Sequence, residues 1–212
     1  MALPSEKLIT INDRGARTAT TFGSVTSGGA DMVFIKKLTA SSSGDLSFLN
    51  GSDSVVFDGT YKEYVFICKN IHGATDGEPL TFQVDTGTNT NYNIAVTNTF
   101  FRARHNEADT IASLAYVATY DQGQGTSFIR CNGGGGTGND ENAAMILHIF
   151  DPANTTFVKH FMLRGSNYQD NNGNENLFSG GYFNTTTALT RVQFKMANGN
   201  IDAGTICLYG IL

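Results

Sequence analysis

The chain has 212 residues, 24 of them glycine and three proline, with 40% hydrophobic, 16% charged and no tryptophan. That length fits one domain with a short appendage, and so much apolar content with so little charge excludes an intrinsically disordered chain. Fourteen basic residues against nineteen acidic ones leave a net charge of −5, which excludes the basic footprint of a nucleic-acid or anionic-membrane binder.

Met1-Ala-Leu-Pro-Ser-Glu-Lys7 lacks the basic start and apolar run of a signal peptide, so synthesis in the cytoplasm is expected. Residues 1–30 are small, polar and poor in core-forming side chains, as in Thr18-Ala-Thr-Thr-Phe-Gly-Ser-Val-Thr-Ser-Gly-Gly29. Such a stretch cannot bury enough area to fold alone and reads as an extended docking arm ahead of a domain over 31–212.

From there short apolar segments follow one another, bounded by Gly, Asn, Asp, Ser and Thr clusters that form turns. They run Met32–Leu38, Asp45–Leu49, Ser54–Phe57, Tyr61–Ile71, Leu80–Val84, Ala115–Thr119, Ser127–Cys131, Ala144–Phe150 and Phe157–Leu163. Only Glu107–Val117 hints at a helix, of a turn or two, and Thr110 and Ile111 work against it. Asn132–Asn142 and Gly165–Gly173 read as long Gly- or Asn-rich loops. Near the end Val192, Phe194 and Met196 alternate with Arg191, Gln193 and Lys195, the period of a half-buried antiparallel strand. Asn198–Gly204 then connects it to Thr205–Leu212, which predicts a C-terminal hairpin. Many short strands at turn-like spacing predict an all-β, antiparallel β-sandwich or barrel. The longest apolar run, Ala143–Phe150, falls far short of the ~20 residues that span a bilayer, so no membrane insertion is expected.

Little in the sequence points to chemistry. Cys68, Cys131 and Cys207 are far apart, odd in number and without CxxC spacing, so they read as buried apolar residues. Cys131-Asn-Gly-Gly-Gly-Gly-Thr-Gly138 is formally like a phosphate loop, yet Asn139-Asp-Glu141 follows where Lys-Ser/Thr and a helix are needed; a flexible surface loop is expected. His72, His105, His148 and His160 lack metal-ligand spacing. Asp170–Glu175 resembles a calcium loop in composition only, with Glu175 at its sixth position and Gly181 at its twelfth. No GxSxG elbow is present. The expectation is no enzyme, no cofactor and no metal. Tyr168, Tyr182 and Phe183 lie beside polar segments, and with Asp170 they are the candidate contacts for a glycan or protein partner, since exposed aromatic rings stack on sugars.

Three stretches resemble virion proteins of tailed bacteriophages, especially marine and cyanobacterial ones: Phe34-Ile-Lys-Lys-Leu-Thr-Ala-Ser-Ser-Ser43, Phe57-Asp-Gly-Thr-Tyr-Lys-Glu-Tyr-Val-Phe66 and Asn70-Ile-His-Gly-Ala-Thr-Asp76. The ending is similar too, in Gly181–Ala188, Phe194–Met196 and Gly199–Ile211. The resemblance implies a sandwich of jelly-roll type, a homotrimer on the particle exterior and no catalytic residues. A fibre would carry a coiled-coil or β-helical shaft, which this sequence lacks. The expected role is therefore a virion structural protein, a capsid decoration (cement) or knob subunit touching major capsid or tail proteins. The alternative is a tail-fibre or tip adhesin that grips host-surface glycan.

Overall fold

The computed structural model describes residues 32–212; the arm expected over 1–30 lies outside them. Thirteen strands follow in order: β1 (Met32–Ser43), β2 (Leu46–Leu49), β3 (Glu63–Gly73), β4 (Leu80–Thr86), β5 (Val96–Asn106), β6 (Ala112–Tyr116), β7 (Gln122–Gly125), β8 (Ile129–Arg130), β9 (Ala143–Phe150), β10 (Lys159–Gln169), β11 (Gly173–Phe183), β12 (Leu189–Met196) and β13 (Ile201–Ile211). A single 3-10 turn at Ala118–Tyr120 is the one helical element among the described residues. No helix there is long and apolar enough to cross a membrane.

Two antiparallel sheets make a β-sandwich. The larger runs β1-β13-β3-β9-β10-β11-β5-β6 with β7 beside β5, and the smaller runs β2-β12-β4-β8. Eight of these strands pair from the outside inward: β1 with β13, β2 with β12, β3 with β9 and β4 with β8. Two insertions interrupt that order. Strands β5 to β7 leave between β4 and β8, strands β10 and β11 leave between β9 and β12, and the two meet where β11 pairs with β5, widening the large sheet.

The core lies between the layers, where side chains of period two meet. On β9, Ala143, Met145, Leu147 and Ile149 point inward while Ala144 and Ile146 are exposed. A line of rings crosses from layer to layer: Phe48 lies 5.2 Å from Phe66, Phe66 5.4 Å from Phe194, Phe82 5.4 Å from Phe161 and Phe161 5.2 Å from Phe183. Burying each such side chain contributes roughly 1.5–3 kcal/mol, and favourable ring geometry adds about 0.5–1.5 kcal/mol per pair. Strand β4 is buried on both sides. Its second face is polar, and its hydrogen-bonding groups are satisfied: Gln83 Nε2 donates to the carbonyls of Ile94 and Ser127, and Asp85 accepts the Tyr92 amide at 2.8 Å.

Several local expectations are corrected. The last two strands form no hairpin, because β12 belongs to the small sheet and β13 to the large one; the connection steps between layers, so their apolar faces oppose each other across the core. The segment read as helical contains strand β6, zipped onto β5 from Phe101–Tyr116 to His105–Ala112. Ser54–Phe57 is not a strand, although Val55 and Phe57 are buried, held by the Asn50 side chain on the Phe57 amide. Gly165–Gly173 is mostly strand: β10 continues to Gln169 and β11 begins at Gly173.

Candidate functional site

The four predicted contact residues divide between the two ends of one hairpin. Tyr168 sits near the turn joining β10 to β11, its hydroxyl donating to Glu107 Oε1 at 3.0 Å, a bond that raises its pKa. Asp170 is exposed on that turn. Tyr182 lies at the far end of β11, opposite His160, with ring centroids 6.0 Å apart. Asn174, which pairs with Tyr168, is eight residues from Tyr182, roughly 26 Å along a strand. Phe183 has none of its surface exposed and belongs to the core. It cannot touch a ligand, because one step along a strand turns a side chain to the opposite face. One site therefore cannot include all four.

At the Tyr182 end the structure supplies what the sequence reading missed. A groove of about 690 Å³ opens between the β9–β10 and β11–β12 connections, lined by Phe150, Asp151, Asn154, Phe157, His160 and Thr186. Phe157 is 69% exposed at its rim. Asn154 shapes the loop beneath it: its Oδ1 accepts the amides of Thr156 at 2.7 Å and Phe157 at 2.8 Å, and its Nδ2 donates to Asp151 Oδ2 at 2.8 Å. That bond, with Lys62 Nζ at 3.2 Å, holds the Asp151 carboxyl below the usual range. Below the groove Lys159 is fully buried, and its Nζ donates to the carbonyls of Thr185 at 3.1 Å and Thr187 at 2.8 Å, fastening one connection to the other. Burial pushes its pKa down. The result is a preformed hollow offering an aromatic face, an imidazole and hydroxyls, the chemistry of stacking on and hydrogen bonding to a sugar. The one sequence signal for it is the turn-forming Asn154-Thr-Thr156 just before an aromatic residue.

At the opposite end the glycine-rich loop is neither a phosphate cradle nor a flexible surface loop. Cys131, Asn132, Gly134 and Gly136 are buried. The loop lies on the inward face of β10 and β11, which is polar there. Glu175, fully buried, accepts Arg102 Nη1 and the Gly133 amide, both at 2.7 Å. Asn167 accepts from Asn132 at 3.1 Å and donates to the Gly134 carbonyl at 2.6 Å, and Arg104 donates to Gln169 at 2.8 Å. The Gly135 amide goes to the Glu78 carbonyl and the Gly138 amide to Glu141, so with Gly133 three of the loop's N–H groups are already committed within the protein. A Cβ on Gly133 would stand 2.6 Å from a Glu175 oxygen, and Gly134 has φ +119° with its back against the Gly77 carbonyl. Glycine is required at both positions. Because Glu175 serves Arg102 and Gly133, the calcium-like composition beside it holds no free carboxylate at its sixth position.

All three cysteines are buried free thiols, and burial raises the pKa of Cys68 and Cys131. No group of His, Cys, Asp and Glu able to hold a metal ion occurs among the described residues. His72 contacts Asp202 at 3.4 Å and the Gly138 carbonyl at 3.2 Å, and His148 contacts Glu63. Comparison with known proteins finds no matching family model, curated protein or solved structure.

Proposed function

We propose that this chain is a non-enzymatic structural subunit on the exterior of a tailed-bacteriophage particle, a capsid decoration or knob protein that assembles from copies of itself and touches capsid or tail proteins. The observation that carries this reading is the nested pairing of β1 with β13, β2 with β12, β3 with β9 and β4 with β8. Doubling an antiparallel ribbon over into two layers produces such nesting. Such nesting supports a jelly-roll reading, an architecture shared by capsid and lectin domains, in line with the resemblance carried by Phe34–Ser43, Phe57–Phe66 and Gly199–Ile211. Fold alone names no function, so the test is location. Antibody-gold labelling or an image reconstruction of the intact particle is expected to place the chain on the outer surface. Its absence from purified particles would overturn the reading.

A second reading, a tail-tip adhesin for host-surface glycan, is favoured by the groove at Phe157. Here the contacts are Phe157 and His160 in the groove, with Tyr182 beside His160, and Tyr168 and Asp170 too distant to share a ligand ring. Wild-type protein should then bind host cells or a glycan array, and Phe157→Ala should lose about tenfold or more in affinity. Wild-type protein without glycan or cell binding would sink this reading.

A further inference from the structure

The outward face of the large sheet presents an apolar side chain on each of five neighbouring strands. Register aligns Ile146 of β9 with Arg164 of β10, Phe178 of β11, Phe101 of β5 and Tyr116 of β6 in one row. Met162 and Leu114 flank that row in the adjacent ones. Phe101 and Phe178 stack face to face at 5.0 Å, and the Arg164 guanidinium lies 5.2 Å over Phe178. Leu114 is 78% exposed and Met162 62%. Strand β6 ends the sheet and is exposed at every position, so neither its faces nor its outer edge is covered among the described residues.

We infer that this face, from β9 to β6, is where a second copy of the chain packs. Size is the first argument. At roughly 150–250 Å² per large side chain, the exposed parts of Phe101, Leu114, Tyr116, Ile146 and Met162 leave on the order of 500 Å² of apolar surface in water. That equals the largest patch of an ordinary monomer, roughly 300–600 Å². The half-buried Phe178 and Tyr182 and the small residues between them carry the face toward the ~800 Å² per partner of a stable interface. Charge is the second argument, and it selects the occupant. In a chain of net charge −5 with nineteen acidic residues, β5, β6, β9, β10 and β11 together contain a single carboxylate, Glu175, and it is buried on the inward side against Arg102. Two copies of an acidic chain repel each other, and here the carboxylates that reach the face come only from outside these strands, among them Asp121 on Tyr116, Glu107 on Tyr168 and Glu63 on His148, each already holding a partner. Pairing two sheet faces about 10 Å apart would also cover both sides of the contact with side chains already arranged in rows.

Self-association here rests on the reading of the chain as an assembling particle subunit, yet it is measured on purified protein with no particle present, so the two can fail separately. Sedimentation velocity of the full chain at micromolar concentrations is expected to show a dimer or trimer. Leu114→Glu and Met162→Glu, both at exposed positions and so compatible with folding, should each weaken assembly about tenfold or more with an unchanged circular dichroism spectrum. Leu212→Ser, at an exposed apolar residue outside these strands, should leave assembly intact. A monomeric wild type would overturn the inference. So would an oligomer indifferent to both glutamates, or one that Leu212→Ser dissociates equally.

Discussion

The two ends of the β10–β11 hairpin are built from the same alternation and filled with opposite chemistry. At the β9–β10 end the inward residues are mostly apolar, Phe161, Leu163, Leu177 and Phe183, with Phe161 and Phe183 packed on Phe82 of the facing sheet and Lys159 and Ser179 as the polar exceptions. At the turn end they are Asn167, Gln169 and Glu175, equally buried, and what lies on them is the backbone of the glycine loop. The apolar end coheres through non-directional burial and tolerates adjustment of neighbouring rings. The polar end coheres only if each donor finds its acceptor, since an unpaired buried group costs about 1–3 kcal/mol. One end is therefore a packing problem and the other a matching problem.

Three measurements bear on that contrast. Phe161→Ala should cost about 3–5 kcal/mol in denaturant unfolding, because it opens a cavity beside Phe82 and Phe183; a loss under ~1 kcal/mol would mean that the layers can collapse onto the gap. Glu175→Ala removes the partner of both Arg102 and the Gly133 amide and should cost about 3 kcal/mol, with faster hydrogen exchange confined to the loop around Gly133–Gly138. If exchange there stayed unchanged, the loop would not depend on the buried carboxylate. The smallest effect belongs to the loop at the apolar end. Asn154 holds the Asp151 carboxyl below its ordinary value of 3.8, so the folded form binds that proton less readily than the unfolded one. The stabilisation is complete above the ordinary value and is lost as pH falls through the lowered one. Asn154→Ala should move the Asp151 titration, followed by NMR, back up toward the ordinary value. An unmoved titration would assign the lowering to Lys62 instead.

The same contrast explains how much was legible in the sequence. Strands β3, β9 and β12 declare themselves because their buried residues are apolar, and β4 because Leu80, Phe82 and Val84 alternate along one of its faces, and the sandwich follows from them. Strands β5 and β11 do not, since Asn98, Glu175 and Ser179 occupy inward positions where a pattern reader expects Val or Leu. Gly165–Gly173 looks like a loop for the same reason: polar burial carries no hydrophobic period. The β12–β13 pair failed differently, because turn chemistry fixes a reversal of direction and says nothing about which sheet each arm joins. Of the candidate contacts, Tyr182 lies beside His160 of the groove and Phe183, one residue on, is sealed in the core. Local polarity reports proximity to a loop, and side-chain direction needs the register.

The bond between β1 and β13 has a consequence for how the protein is made. The first described strand finds its partner in the last, from Met32 on Ile211 to Ser43 on Ile201, so β1 stays without this partner until β13 and everything between them has emerged from the ribosome. Contacts so distant in sequence make folding slow. Until then the apolar faces of β3 and β9 lack their neighbours, and the newborn chain is most prone to clump while the two layers still stand open.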